Sequence, residues 1–278
     1  MGTLFGLFLV GFLSGQGQAT ETLVDLENAT HKVVVLRSSG RIGPALTACK
    51  DALDLSVRLP KSDRSYQLMV QIHTEMGILL DSQSNFSESE THFLKAVDLQ
   101  KALTGNKSLH FAGTLLNLGT SRMSRGRMDL AEQPLVSALE ILKELHSEAF
   151  AMKEVCHAKL CSLYQMDGRT GLAIHHGKAA LQLSRAMRGS APSRDIPLEN
   201  NLAVMLLRQG NPGEAAELAL SALSAMEKLA GKDHPACLAQ MEFLARIRLA
   251  QGDGGAAARL YERIEEILME DGRRTSSY

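Results

Sequence analysis

The sequence predicts an all-α solenoid, a row of stacked two-helix hairpins that has no single globular core. Gly126, Gly168, Gly210 and Gly252 recur every 42 residues, and Ala131, Ala173, Ala215 and Ala257 follow them at a constant distance. Upstream, Ser84 with Ser89 and Gly40 with Ala45 keep the same internal spacing, so about six units are counted. A period of this size marks modules that bury their apolar faces only against neighbouring modules. Composition agrees: helix formers dominate, aromatic residues are 4% of the chain and there is no Trp.

Each unit repeats one internal order. Before the glycine lies an apolar stretch with helical spacing, such as Leu115, Leu118 and Gly119, or Leu202, Val204 and Leu206. The glycine supplies the left-handed residue that ends this first helix. A second helix follows, and beyond its first alanine comes another small residue: Ala52, Ala96, Ala138, Ala180 and Ala222. Two such positions on one helix let the paired backbones approach closely. Pro134 is expected in the first turns of a second helix, where a missing amide costs least. Gly189 to Pro197 reads as a connector between units. Two units depart from the pattern, with Ser84 and Ser89 in the second and Ile264 at the small position of the sixth.

These residues resemble the tetratricopeptide repeat, and the 42-residue period resembles the subtype of kinesin light chains. The best matches are Asn117-Leu118-Gly119, Gly126-Arg127 and Leu130 to Leu135 in the third unit, and Gly231 to Pro235 ahead of the last. The resemblance implies a right-handed solenoid over residues 20–271 and a non-enzymatic scaffold or adaptor. The family's coiled coil for motor association has no counterpart before Thr20. After Asp271 there is no room for the extra polar helix with which the family often closes its last repeat. Either the final helix leaves part of its apolar face exposed or something else covers it, and the alternative function is a structural assembly subunit using its uncapped end or convex face, or a secreted or luminal repeat protein.

Residues 1–19 form a separate apolar segment, either a signal peptide with cleavage after Ala19 or a remnant helix. The expected location is cytoplasmic, with the secretory pathway as the alternative; sequons at Asn28, Asn85 and Asn106 add little. Residues 272–278 read as a frayed tail. A formal net charge of −1 without long charge blocks argues against nucleic acid as a partner, and a membrane partner is not expected apart from N-terminal targeting. Cys49, Cys156, Cys161 and Cys237 fall on predicted helices as packing residues and carry no disulfide pattern. His157, Cys161 and the His175-His176 pair have spacing that a metal could use, but without Cys-x-x-Cys a structural role is expected and no cofactor. No phosphate loop, nucleophile elbow or His-Glu-x-x-His helix is present, so an enzyme is not expected.

Function then falls to the wall of first helices, expected to line a concave groove. The repeat position nine residues before each turn reads Glu75, Asn117, Lys159, Asn201 and Phe243. The resemblance implies that asparagines here hold the backbone of an extended peptide, which carries over to Asn117 and Asn201. Lys159 favours an acidic group on the ligand, and Arg208 and Arg246 add positive contacts on the same wall. The expected partner is a protein or peptide.

Overall fold

The computed structural model describes residues 23–145, 149–188 and 192–275, and every element of secondary structure among them is helical. Twelve α-helices follow in order: α1 (residues 23–38), α2 (Ile42–Ser56), α3 (Asp63–Ser82), α4 (Phe86–Thr104), α5 (Leu109–Ser124) and α6 (Met128–Glu144). Then come α7 (Phe150–Met166), α8 (Thr170–Arg188), α9 (Pro192–Arg208), α10 (Pro212–Ala230), α11 (Leu238–Ala250) and α12 (Gly254–Thr275). The chain divides into two compact units, residues 1–146 and 147–278. Odd-numbered helices are the first members of hairpins and even-numbered helices the second. The segment 1–19 lies outside the described residues, as do 276–278; α12 runs through Thr275, into the stretch read as a tail. No described helix is long and apolar enough to cross a membrane.

The hairpin turns are set by local backbone chemistry. Gly40, Gly126, Gly168, Gly210 and Gly252 all have φ between 72° and 79°. The next amide reaches back to close the helix end, as from Arg127 to the Arg122 carbonyl at 3.0 Å and from Asn211 to that of Leu206 at 2.9 Å. Ser84 takes the same conformation, with φ 61°, and Asn85 N–H reaches the Leu80 carbonyl at 2.9 Å. The second hairpin therefore pairs like the others, at the steric cost of a side chain in the left-handed region. Ser89, in the alanine slot, is fully buried and donates its hydroxyl to the Gly77 carbonyl at 2.8 Å.

Close packing follows from the small residues. Ala45, Ala131, Ala173, Ala215 and Ala257 are at most 1% exposed, and Ala52, Ala96, Ala138, Ala180 and Ala222 are at 0%. The first helices of unit 1 add a glycine: a Cβ on Gly77 would lie 2.7 Å from the Phe93 ring, and one on Gly119 2.6 Å from Leu135. One period further on, in unit 2, Cys161 takes the first-helix slot and Gly177 faces it from α8, where an added Cβ would lie 3.0 Å from its sulfur and 2.7 Å from Leu202. Where the second helix offers a large side chain the first offers none, and the reverse arrangement fills the same volume.

Two prolines sit deeper than the sequence suggests. Pro134 is inside α6, beyond the first turn, so the Leu130 carbonyl has no helical amide to accept. Arg122 of α5 supplies the donor through Nη1 at 3.0 Å. Pro197 is inside α9, which starts at Pro192. Most of the expected connector is thus helix, and residues 189–191 lie outside the described residues. Cys237 also differs, ending a short 3-10 turn at Pro235–Cys237 ahead of α11.

Candidate functional site

The expected peptide-binding residues fall on first helices: Asn117 on α5 in unit 1, and Lys159 on α7, Asn201 and Arg208 on α9, and Arg246 on α11 in unit 2. Asn117, Asn201, Arg208 and Arg246 are exposed, and Lys159 is half-buried. Asn201 and Arg208 stand two turns apart and so share a face of α9. Lys159, Arg208 and Arg246 have no carboxylate within ion-pair distance among the described residues. Unit 2 therefore presents three uncommitted cations and an amide on its first helices. Phe243, in the same row, is half-buried.

Unit 1 uses the corresponding position differently. Glu75 is 8% exposed and is taken up by a two-pronged ion pair with Arg37 of α1, so it does not project from the wall as a free acceptor. Other guanidinium groups of this unit are also committed. Arg122 donates to Glu90 from Nε at 2.9 Å and Nη2 at 2.6 Å. Arg125 reaches Asp81 at 3.1 Å, Glu90 at 3.0 Å, the Ser89 and Ser121 hydroxyls, and the Phe86 carbonyl at 2.9 Å. These contacts lock the second hairpin to the third. Asn117 is the member of the predicted row left open to solvent in unit 1.

The histidines singled out in the sequence are partly brought together. His157 of α7 and His176 of α8 meet Nδ1 to Nδ1 at 3.0 Å, while Cys161 is buried against Gly177 and His175 is exposed. No group of three or more metal-ligating side chains occurs among the described residues. The same imidazole pair occurs two periods earlier, where His73 and His92 meet at 2.9 Å and are both buried. Burial, with His92 and Lys95 nearby, lowers the His73 pKa to about 4. Burial likewise lowers that of His92 and raises the Cys161 thiol to about 11, so this sulfur is an inert packing group.

One feature of unit 2 is missed by reading the repeats for their shared residues. Between α8, α9 and α10 lies a cleft of about 320 Å³ lined by Arg185, Asp195, Glu199, Ser221, Ser224 and Lys228. Between α4, α5 and α6 of unit 1 lies a cleft of about 380 Å³ whose lining includes Lys101, Phe111, Leu115, Ser137, Glu140 and Glu144. Each of these six residues stands two 42-residue periods before its counterpart. The two clefts are one architectural feature with different floors: Phe111 and Leu115 in the first, Asp195 and Glu199 in the second. The available signal was the placement of two acids at repeat positions that are apolar in the third unit.

A tetratricopeptide repeat family model matches residues 196–270. Among solved structures, the nearly identical TPR-like repeats of a candidate kinesin light chain from Podosopora anserina superpose with a TM-score of 0.57 at 20% identity, covering 73% of this chain and 97% of that one. BtubC (BKLC) from P. vanneervenii gives 0.59 at 18% identity, covering 91% and 92%. A STAND-class signal transduction ATPase with a tetratricopeptide repeat sensor from Pyrococcus horikoshii gives 0.69 at 14% identity, covering 90% of this chain and 38% of that one. No curated protein sequence matches. The fold is that of an all-α tetratricopeptide-like solenoid, as the repeat spacing predicts, and such folds generally serve as protein-interaction scaffolds.

Proposed function

We propose that this chain is a non-enzymatic adaptor of the cytoplasm that holds an extended segment of a partner protein against its first helices. The observation that carries this reading is the set of uncommitted polar groups in unit 2. Lys159, Asn201, Arg208 and Arg246 are solvent-facing to different degrees, and the three cations lack ion-pair partners among the described residues. An amide such as Asn201 offers one donor and one acceptor to a peptide unit, and the cations suit acidic side chains that flank it. Asn117 supplies an equivalent amide in unit 1. Buried free thiols at all four cysteines suit a reducing compartment.

Comparing the wild type with Asn117→Ala plus Asn201→Ala on a peptide array tests the reading. Weakened binding to a subset of peptides is expected, with acidic peptides further weakened by Arg208→Ala. Unchanged binding to every captured peptide would remove the first-helix wall as the site.

A second reading is favoured by α12, on which Tyr261, Leu268 and Met269 are 37%, 53% and 61% exposed. Exposed apolar residues of this kind suit a structural subunit that assembles through its last helix. The solution mass of the purified chain separates the two: a monomer at high concentration speaks for the adaptor.

A further inference from the structure

The unit 2 cleft between α8, α9 and α10 carries more buried negative charge than its architecture needs. Unit 1 builds the same cleft over Phe111 and Leu115, so an apolar floor satisfies the hairpin packing. In unit 2 the floor is Asp195 and Glu199, only 6% and 3% exposed. Lying four apart on α9, they share a helix face. Glu199 accepts from Arg185 and from the Ser221 hydroxyl at 2.8 Å through one oxygen. Asp195 accepts from the Ser184 hydroxyl at 2.6 Å, also through one oxygen. The second oxygen of each accepts no hydrogen bond among the described residues. Among the described residues Arg185 pairs with Glu199 alone, and the second oxygens of both carboxylates are not sealed from solvent, so each is open to a further charged donor.

We infer that this cleft binds the cationic head of a lysine or arginine side chain from a partner protein. A guanidinium or ammonium entering the cavity gives the free oxygens of Asp195 and Glu199 the charged donors they lack. The cavity of about 320 Å³ has room for one such side chain. It continues along α8 and α10 into an adjoining cleft through shared Arg185 and Ser221, where Lys178, Glu214 and Glu217 line the walls. That track suits a chain segment rather than an isolated amine. Arg185 and Lys228 on the rim disfavour a run of basic residues and select a single basic side chain flanked by acidic ones. The site combines second helices α8 and α10 with the buried Asp195 and Glu199 of α9, and it uses neither the exposed Asn201 nor the exposed Arg208 of that helix, so the inference does not rest on the first-helix reading.

The test is a titration of the isotope-labelled full chain, followed by backbone amide shifts, with three probes. These are a capped Asp-Arg-Asp peptide, the same peptide with norleucine for arginine, and agmatine. The arginine peptide is expected to shift the amides of Asp195, Glu199 and Ser221, and the norleucine peptide to leave them in place. Asp195→Asn is expected to weaken the arginine peptide about 10-fold. Asp195→Phe with Glu199→Leu, which copies the floor of unit 1, is expected to abolish binding while keeping helical circular dichroism. Equal binding of the two peptides, no shift at these residues, or an Asp195→Asn variant that binds like wild type would overturn the inference. Agmatine binding as tightly as the arginine peptide would also overturn it, by assigning the cleft to a free amine.

Discussion

The cleft over α5 in unit 1 and the cleft over α9 in unit 2 differ in what they do with the same positions. In unit 1, Phe111 and Leu115 close the floor and the charges stay outside, with Lys107 and Glu144 paired at 3.1 Å. In unit 2 the floor is acidic and the rim carries Arg185 and Lys228. The first helices show the opposite allocation. Unit 1 commits Arg37, Arg122 and Arg125 to carboxylates, whereas Lys159, Arg208 and Arg246 of unit 2 have no ion-pair partner among the described residues. A repeat scaffold tolerates both because backbone packing is secured by the small residues and turns. The remaining positions are then open to either structural or binding chemistry.

The largest expected effect comes from the small-residue slots. Gly119→Leu is expected to lose about 3 kcal/mol, because Leu135 already fills the space a Cβ would need. Chemical denaturation reads this directly, and a loss below about 1 kcal/mol would break the account of unit 1 packing.

Next is the contact from Arg122 to the Leu130 carbonyl. Arg122→Ala is expected to cost about 2 kcal/mol, because it leaves Glu90 and that carbonyl without this partner. In a Pro134→Ala background the loss is expected to shrink by about 1 kcal/mol, since residue 134 then has an amide to offer Leu130. Equal losses in both backgrounds would remove the link between the proline and the arginine.

The buried imidazole pair of unit 1 makes stability depend on pH. His73 titrates near 4 when folded against an ordinary 6.5, so the unfolded chain binds more protons between those values. Its contribution is present above pH 6.5 and is lost as pH falls toward 4. Between pH 7 and pH 5 the loss is expected at about 1 to 2 kcal/mol. Imidazole chemical shifts of His73 followed over this range check it, and a folded-state titration near 6.5 would remove the pH dependence.

The smallest effect belongs to Ser84. Replacing it with glycine relieves a side chain at φ 61° and is expected to stabilise the fold by about 1 kcal/mol, measured by thermal unfolding. Ser84→Gly without gain would mean that the serine conformation costs nothing at this turn.

Much of the hairpin order is legible in the sequence. Cys161 reads as a packing residue because it occupies the slot of Gly119, and it is 4% exposed. Asn117 and Asn201 read as exposed because their positions recur on the polar side of first helices. That Glu75 of the same row is neutralised is not legible there, because its partner, Arg37, lies 38 residues away in another hairpin. Pro134 falls in the second turn of the expected helix, but the carbonyl it leaves open is served from another helix, and nothing in its neighbourhood announces the donor supplied by Arg122.

By itself the sequence determined the helix-turn-helix repeat, its turn residues and its small packing positions, because these depend on backbone geometry and periodic side-chain size within one module. Only the tertiary structure decided which charges are neutralised, which histidines touch and where a floor is acidic. Those outcomes depend on distances between side chains of different helices, and an ion pair or a cleft has no period of its own.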